Sequence, residues 1–197
     1  MHIPDTTPHH SVYYDYQIYP FQTPPELRGE TKPYPVVIVG AGPIGLVTAL
    51  ELARYGTPVV VISAEVQVSH GSRAIVFTRR SMEILQQVGI SERMLEKAYP
   101  WRSGNSIYRG QRVFRLEAPY DEDDRFQPLN NLQQQYVEQY LVEQAAQNPL
   151  IELRWGSKVI GVQSFTDHAE LQIDTPEGEY RLSCDWLIAA DGAKSTI

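Results

Sequence analysis

The sequence predicts an α/β fold, a parallel sheet wound with helix and continued by an antiparallel meander. Three observations carry this. Val36-Val-Ile-Val39 and Val59-Val-Val-Ile62 are continuous apolar, β-branched runs, the pattern of strands covered on both faces of a parallel sheet. Between them a glycine-punctuated turn leads into a segment of helical period. Beyond residue 150, three segments alternate apolar and polar residues, as strands with one covered face do.

Residues 1–34 come first. They hold Pro4, Pro8, Pro20, Pro24, Pro25 and Pro33 and show neither helical nor strand period, so they read as an extended arm, mobile or laid on a surface. Tyr13, Tyr14, Tyr16 and Tyr19 call for something to pack against. Two partners are open, the rest of the domain or a second copy of the chain in a homodimer. The domain proper is placed at 35–197. Leu46, Ala49, Leu50 and Ala53 share one face of a helix that follows the first strand. Gly56 then ends the helix as a left-handed cap.

A second helix is expected over Arg79–Val88, with Met82, Leu85 and Val88 on one side. Residues 104–117 read as one or two strands, and about 104–130 as the start of a separate sheet. Asp121–Asp124 is a solvated turn, since it lacks the glycine and the distal glutamate of a calcium loop. A long helix is expected over 133–147, stopped by Asn148-Pro149, and a short strand over Ile151–Arg154. The meander occupies Lys158–Phe165, Ala169–Asp174 and Glu179–Leu182. Trp186–Ala190 is expected as a further, separate buried strand, followed by Asp191-Gly192.

Composition narrows the function. The 197 residues carry 24 acidic and 17 basic side chains, a formal charge of -7, which suits phosphate backbones poorly and argues against nucleic acid. The one cysteine, Cys184, excludes an intrachain disulfide. No stretch approaches the ~18 apolar residues of a membrane span, and the Met1 end lacks a signal-peptide pattern. The expectation is a soluble, cytoplasmic chain. His9-His10 in the arm have no accompanying Cys/His/Asp cluster, so no metal site is read.

Chemistry concentrates in Gly40-Ala-Gly-Pro-Ile-Gly45. Gly40 permits a tight exit from the strand, Gly42 lets backbone approach a pyrophosphate, and Gly45 lets helix and strand pack closely. Pro43 and Ile44 lie at the helix start, where N–H groups face two phosphates. Strand before and helix and strand after supply the context that a bare glycine pattern lacks. An acid for the adenosine ribose is due about 20 residues on. Ser63 stands directly after the second strand, and Glu65 lies two residues later. Glu65 reads equally as a ribose contact or as a solvated loop carboxylate. With no Arg or Lys at 63–65, the pocket suits FAD or NAD rather than NADP.

A Rossmann dehydrogenase continues with further β-α units; here a long excursion, a strand, the antiparallel meander and a strand ending Ala-Ala-Asp-Gly follow instead, which separates FAD from NAD. Three further segments stand out: Gly71-Ser-Arg-Ala-Ile75, Asn131–Leu141, and Asp191-Gly-Ala-Lys-Ser195 after an apolar strand. With the glycine loop, they make residues 35–197 resemble the N-terminal portion of the flavoprotein aromatic hydroxylases, the family of para-hydroxybenzoate hydroxylase. The 3-(3-hydroxyphenyl)propionate and phenol hydroxylase-like branch is the most similar. The resemblance implies a Rossmann-like FAD-binding domain of the glutathione-reductase type. It implies an FAD-dependent monooxygenase that hydroxylates a small phenolic ring with NAD(P)H and O2. It places Arg73 near the ribityl-pyrophosphate, with a structural salt bridge as the other reading. Gln134 matches a flavin-contacting glutamine, with Gln133 and Gln135 as alternative registers and a plain amphipathic helix as the other reading. Asp191 and Gly192 match a segment touching both the flavin region and the NAD(P)H path, and a strand-end turn accounts for them too.

The chain departs from the family pattern at two points. Ser63 replaces the acid, and the later Gly-Asp segment that holds the ribityl chain does not occur in these 197 residues. The expectation is therefore an N-terminal fragment. Another FAD oxidoreductase of the same fold, or a truncated module without catalysis, are the alternatives. No side chain here is named as catalytic; Tyr108 and Arg109 lie where the small sheet begins but carry no assignment.

Overall fold

A computed structural model describes residues 1–71, 74–195 and 197, with the Lys194 side chain left aside. In chain order the elements are β1 (Tyr34–Val39), α1 (Pro43–Arg54), β2 (Val59–Ile62), β3 (Val76–Thr78), α2 (Arg79–Gln87), α3 (Ser91–Leu95), β4 (Tyr99–Trp101), β5 (Ser103–Tyr108), β6 (Gln111–Glu117), β7 (Leu129–Asn131), α4 (Gln134–Ala146), β8 (Ile151–Arg154), β9 (Lys158–Ser164), β10 (Ala169–Thr175) and β11 (Gly178–Ala189). Short 3-10 turns occupy Pro25–Arg28 and Gly192–Lys194. Two units emerge, one of residues 1–70 with 141–197, the other of residues 71–140. Helix α4 runs across the boundary.

The first unit holds a six-stranded sheet in the order β8-β2-β1-β11-β10-β9. Strands β8, β2, β1 and β11 run parallel, and β11, β10 and β9 run antiparallel. All of β2 is buried, as is β1 except Pro35, as their unbroken apolar runs require. Helix α1 lays Leu46, Ala49, Leu50 and Ala53 into the core. Gly56 follows at φ 80, its N–H on the Ala53 carbonyl at 3.0 Å. The inner face of the meander contributes Leu171, Ile173, Tyr180 and Leu182 to the core with Val37, Val39, Val60 and Ile62.

Two expectations are corrected in this unit. The segments 179–182 and 186–190 are not separate strands. They form one twelve-residue strand, β11, whose first half pairs antiparallel with β10 and whose second half pairs parallel with β1. Cys184 is the crossing point, opposite both Ala169 and Tyr34. Pairing to different partners on its two edges lets a single extended segment serve both the parallel and the antiparallel part of the sheet. The second half is not buried on both faces either, since Trp186 is 72% exposed. The arm's tyrosines, whose packing partner the sequence leaves open, find one in this unit: Tyr14 and Tyr16 are buried and meet edge to face at 4.6 Å, and the Tyr19 N–H bonds the Val66 carbonyl at 2.7 Å.

A buried ion pair joins the arm's end to the sheet. Arg154 of β8 binds Glu26 at 3.0 Å, both side chains at 4% exposure or less. It also binds Glu152 at 2.8 Å, and donates to Tyr34 Oη at 2.7 Å and Tyr180 Oη at 3.2 Å. Burial opposes the guanidinium charge, but Tyr180 and Glu152 outweigh it and raise its pKa. Burial, with the hydrogen bond to Glu26, likewise raises the Tyr34 phenol.

In the second unit β3, β7 and β4 form a small antiparallel sheet, and β5 and β6 a hairpin. Residues 104–130 contribute strands to both of these sheets. Arg109 and Gly110, at φ 47 and 79, make the two-residue hairpin turn between Tyr108 and Gln111, as the primed turn types demand. The acidic turn is closed from within. Asp124 accepts the Asp121 N–H at 2.8 Å and pairs with Arg79 at 2.8 Å. Helix α2 starts on Thr78, which accepts the Ser81 N–H at 3.3 Å. No helix among the described residues is long and apolar enough to cross a membrane.

Arg154→Met leaves the Glu26 carboxylate buried and uncompensated. It is expected to cost about 3–5 kcal/mol in urea unfolding, with much of the loss recovered when Glu26→Leu is added. Burial, with the Asp185 charge beside it, pushes the Cys184 thiol up to about 11. The neutral thiol thus favours the fold fully below its ordinary value near 9, and this contribution fades as pH rises through about 11. The folded chain should leave a disulfide thiol reagent unreacted at pH 8, with one equivalent released on unfolding; rapid reaction before unfolding would contradict this burial.

Candidate adenosine and pyrophosphate site

The turn from β1 into α1 is built by three glycines with different reasons. Gly40 sits at φ 111, and its N–H bonds the Ile62 carbonyl at 2.8 Å. A β-carbon on it would strike the Ala190 carbonyl. On Gly45 a β-carbon would strike the Gly40 carbonyl oxygen and meet Ile38 Cγ2 at 3.3 Å. Packing alone therefore fixes these two positions. Gly42 is different. Its φ and ψ are -79° and -178°, extended backbone open to any residue, and a β-carbon there would have no neighbour within 4 Å.

Gly42 is also the N-terminal cap of α1, with no side chain capping it and Pro43 in the first turn. The first N–H groups of a helix lack intrahelical acceptors, and the helix dipole makes that end positive. No acidic residue stands in the first turn of α1, so nothing there repels an anion despite the acidic chain. Ile44 is 72% exposed and Pro43 half-buried, which leaves the turn's outer side open.

Ser63 and Glu65 leave the end of β2 beside this turn's own strand. Their backbone is fixed against the segment after β8. The Ser63 N–H bonds the Arg154 carbonyl at 2.9 Å, the Ser157 N–H bonds the Ser63 carbonyl at 2.7 Å, and the Gly156 N–H bonds the Glu65 carbonyl at 3.1 Å. Ser63 is half-buried and the Glu65 side chain exposed. Asp191 follows β11 and precedes the turn Gly192–Lys194, with Gly192 at φ 80. The Ala190 N–H bonds the Val39 carbonyl at 2.8 Å. Gly40 and Asp191 are thereby neighbours, a β-carbon on Gly40 lying 3.0 Å from the Asp191 nitrogen.

The structure thus gathers Gly40, Gly42, Pro43, Ile44, Gly45, Asp191 and Gly192 at the ends of β1 and β11, with Ser63 and Glu65 at the end of the adjoining β2. Gln134 belongs to the second unit. Its amide accepts the Ala74 N–H at 3.3 Å and donates to Glu138 at 2.6 Å. Arg73 lies outside the described residues. Sequence reasoning passed over Gln67, which is 5% exposed. The apolar Val66 and Val68 on either side of it, both buried, were the available signal that this loop is packed.

A family model described as "FAD binding domain" matches residues 33–197. Para-nitrophenol 4-monooxygenase of Pseudomonas sp. is 30% identical over 168 residues, covering 82% of this chain and 41% of that protein. A 3-(3-hydroxy-phenyl)propionate/3-hydroxycinnamic acid hydroxylase of Burkholderia vietnamiensis is 29% identical over 82% of this chain and 30% of its own length. The crystal structure of p-nitrophenol 4-monooxygenase from Pseudomonas putida superposes with a TM-score of 0.79 at 29% identity, over 85% of this chain and 43% of that one. A flavin-dependent monooxygenase solved in complex with FAD and substrate gives 0.73 at 31% identity, over 83% and 31%. The chain thus spans less than half the length of these relatives. With the glycine turn, the strand order and the family match in agreement over residues 33–197, the chain belongs to the family of FAD-binding domains.

Proposed function

We propose that this chain supplies the ADP-binding part of an FAD-dependent aromatic monooxygenase of the glutathione-reductase fold type. The observation that carries the reading is Gly42. The fold needs glycine at Gly40 and Gly45 but makes no demand for it at Gly42, where both backbone angles and free space admit a side chain. A bare backbone at a helix N-terminus with open space beside it fits the close approach of a pyrophosphate.

In this reading the N–H groups at Gly42, Ile44 and Gly45 receive the pyrophosphate of FAD, and Gly40 and Pro43 set the turn. Ser63 offers a neutral hydrogen bond to the adenosine ribose and Glu65 a charged one. Asp191 and Gly192 lie at the C-terminal ends of parallel strands, where ligands of such sheets bind, and they contact the flavin side. The roles of Arg73 and Gln134 rest on the resemblance alone. When bound, FAD supplies the redox chemistry, taking hydride equivalents from NAD(P)H and passing oxygen from O2 to a phenolic ring. The chain's own residues bind and orient it. Relatives named for para-nitrophenol and 3-(3-hydroxyphenyl)propionate support a small aromatic substrate for the whole protein.

Purified chain titrated with FAD is expected to develop the yellow flavin band in the protein fraction, and Gly42→Ala tests the site directly. This substitution should change unfolding free energy by no more than about 1 kcal/mol while weakening FAD binding about tenfold or more, ~1.4 kcal/mol. Unchanged affinity in that variant would sink the pyrophosphate assignment. Gly45→Ala is expected to behave oppositely, costing about 1–3 kcal/mol in stability through overpacking, read as a lower urea midpoint.

A further inference from the structure

The family model's match starts at residue 33, and 32 residues precede it in this chain. Their first half does not wander. It touches the segment Ser63–His70 at several points. His2 Nε2 bonds the Ala64 carbonyl at 2.8 Å, and the Tyr19 N–H bonds the Val66 carbonyl at 2.7 Å. The His9 N–H bonds Gln67 Oε1 at 3.0 Å, and Gln67 Nε2 donates to the Thr7 carbonyl at 3.0 Å and the Asp5 carbonyl at 3.5 Å. The His9 and His70 rings lie 4.6 Å apart, and Tyr19 stacks on Trp155 at 4.6 Å. The Met1 ammonium pairs with Asp174 at 3.0 Å. Burial, with the charge of Glu143, pushes the Tyr19 phenol up to about 12, so it stays a neutral stacking partner.

The bonding alternates. Carbonyls 63 and 65 accept from Ser157 and Gly156, and carbonyls 64 and 66 accept from His2 and Tyr19. Ser63–Val66 is thus held by the loop after β8 through two carbonyls and by the arm through the other two. Without the arm, carbonyls 64 and 66 lose these partners.

We propose that Met1–Tyr19 is a built-in brace that presets Ser63 and Glu65 for the adenosine half of the cofactor, with Gln67 as its positioning residue. The inference rests on the ribose role given above to Ser63 and Glu65. Gln67 touches no ligand; it acts by gripping residues 5–9 of the arm against the loop. Preordering a loop before binding removes an entropic cost that the ligand otherwise bears, and one backbone residue's worth of order corresponds to about tenfold in affinity.

The test compares the full chain with Gln67→Leu, which keeps the volume and removes all three arm bonds. Two readouts are taken without reference to turnover: hydrogen exchange of peptides covering 63–70, and the dissociation constants for ADP and FAD. The expected result is exchange at least about tenfold faster over 63–70, exchange over α1 unchanged, and ADP and FAD both bound about tenfold more weakly. Unchanged exchange over 63–70 overturns the brace, as does faster exchange with unchanged ADP affinity. Should Gln67→Leu fail to fold, His2→Ala, at a half-buried contact to the same loop, gives the same two readouts. If the unaltered chain binds neither FAD nor ADP, the cofactor reading fails and the brace falls with it. Binding by the unaltered chain with no change in either variant sinks the brace alone.

Discussion

The contact between the Gly45 Cα and the Gly40 carbonyl sets the geometry of everything around the candidate site. It brings α1 onto β1 at a distance that no side chain at position 45 tolerates. Because Gly40 also lies against the Ala190 carbonyl, the same turn fixes how closely the end of β11 approaches. Helix start, first strand and the Asp191 segment are therefore placed by one backbone-to-backbone packing rather than by side-chain contacts. Side chains repack when a neighbour changes, and backbone at this distance has no such freedom. This explains how a site with few functional side chains is still precisely shaped.

Much of this was legible in the sequence because it depends on local pattern. The β-branched runs at 36–39 and 59–62 and the glycine spacing between them are read within 30 residues, and their β-α-β order is the observed one. What escaped depended on distant partners. β11 read as two strands because its two halves serve partners of opposite direction, and only the pairing of Cys184 with both Tyr34 and Ala169 joins them. The tripeptide strands β3, β4 and β7 carry too few residues to show any period. At the candidate site, the glycine spacing assigns separate expected roles to Gly40, Gly42 and Gly45, but it carries no measure of the room at each. Only the space around each tells packing from access.

The arm shows what composition leaves open about order. Its prolines removed helical and strand periods, yet its order comes from contacts that periodicity does not register: a glutamine side chain, alternating carbonyls and a stacked ring. Glu26 is the clearest case. In the sequence it is an acid in a Pro-rich tail. In the structure it sits at 3% side-chain exposure against Arg154. A buried pair of this kind is weak evidence for net stability, but it specifies. Only a chain entering β1 along this path satisfies both charges, with Tyr34 and Tyr180 completing the guanidinium's bonds.

The double allegiance of β11 also sets a timetable for biosynthesis. Val36 meets Val59 on one side, a partner made almost at once, and Trp186 on the other, about 150 residues later. At translation rates of 5–20 residues per second, the second edge of β1 waits roughly 8–30 s for its neighbour. During that interval a β-branched, apolar strand shows an unpaired edge, the kind of surface that recruits other nascent chains. The early β1-α1-β2 unit thus carries this open edge until β11 is made.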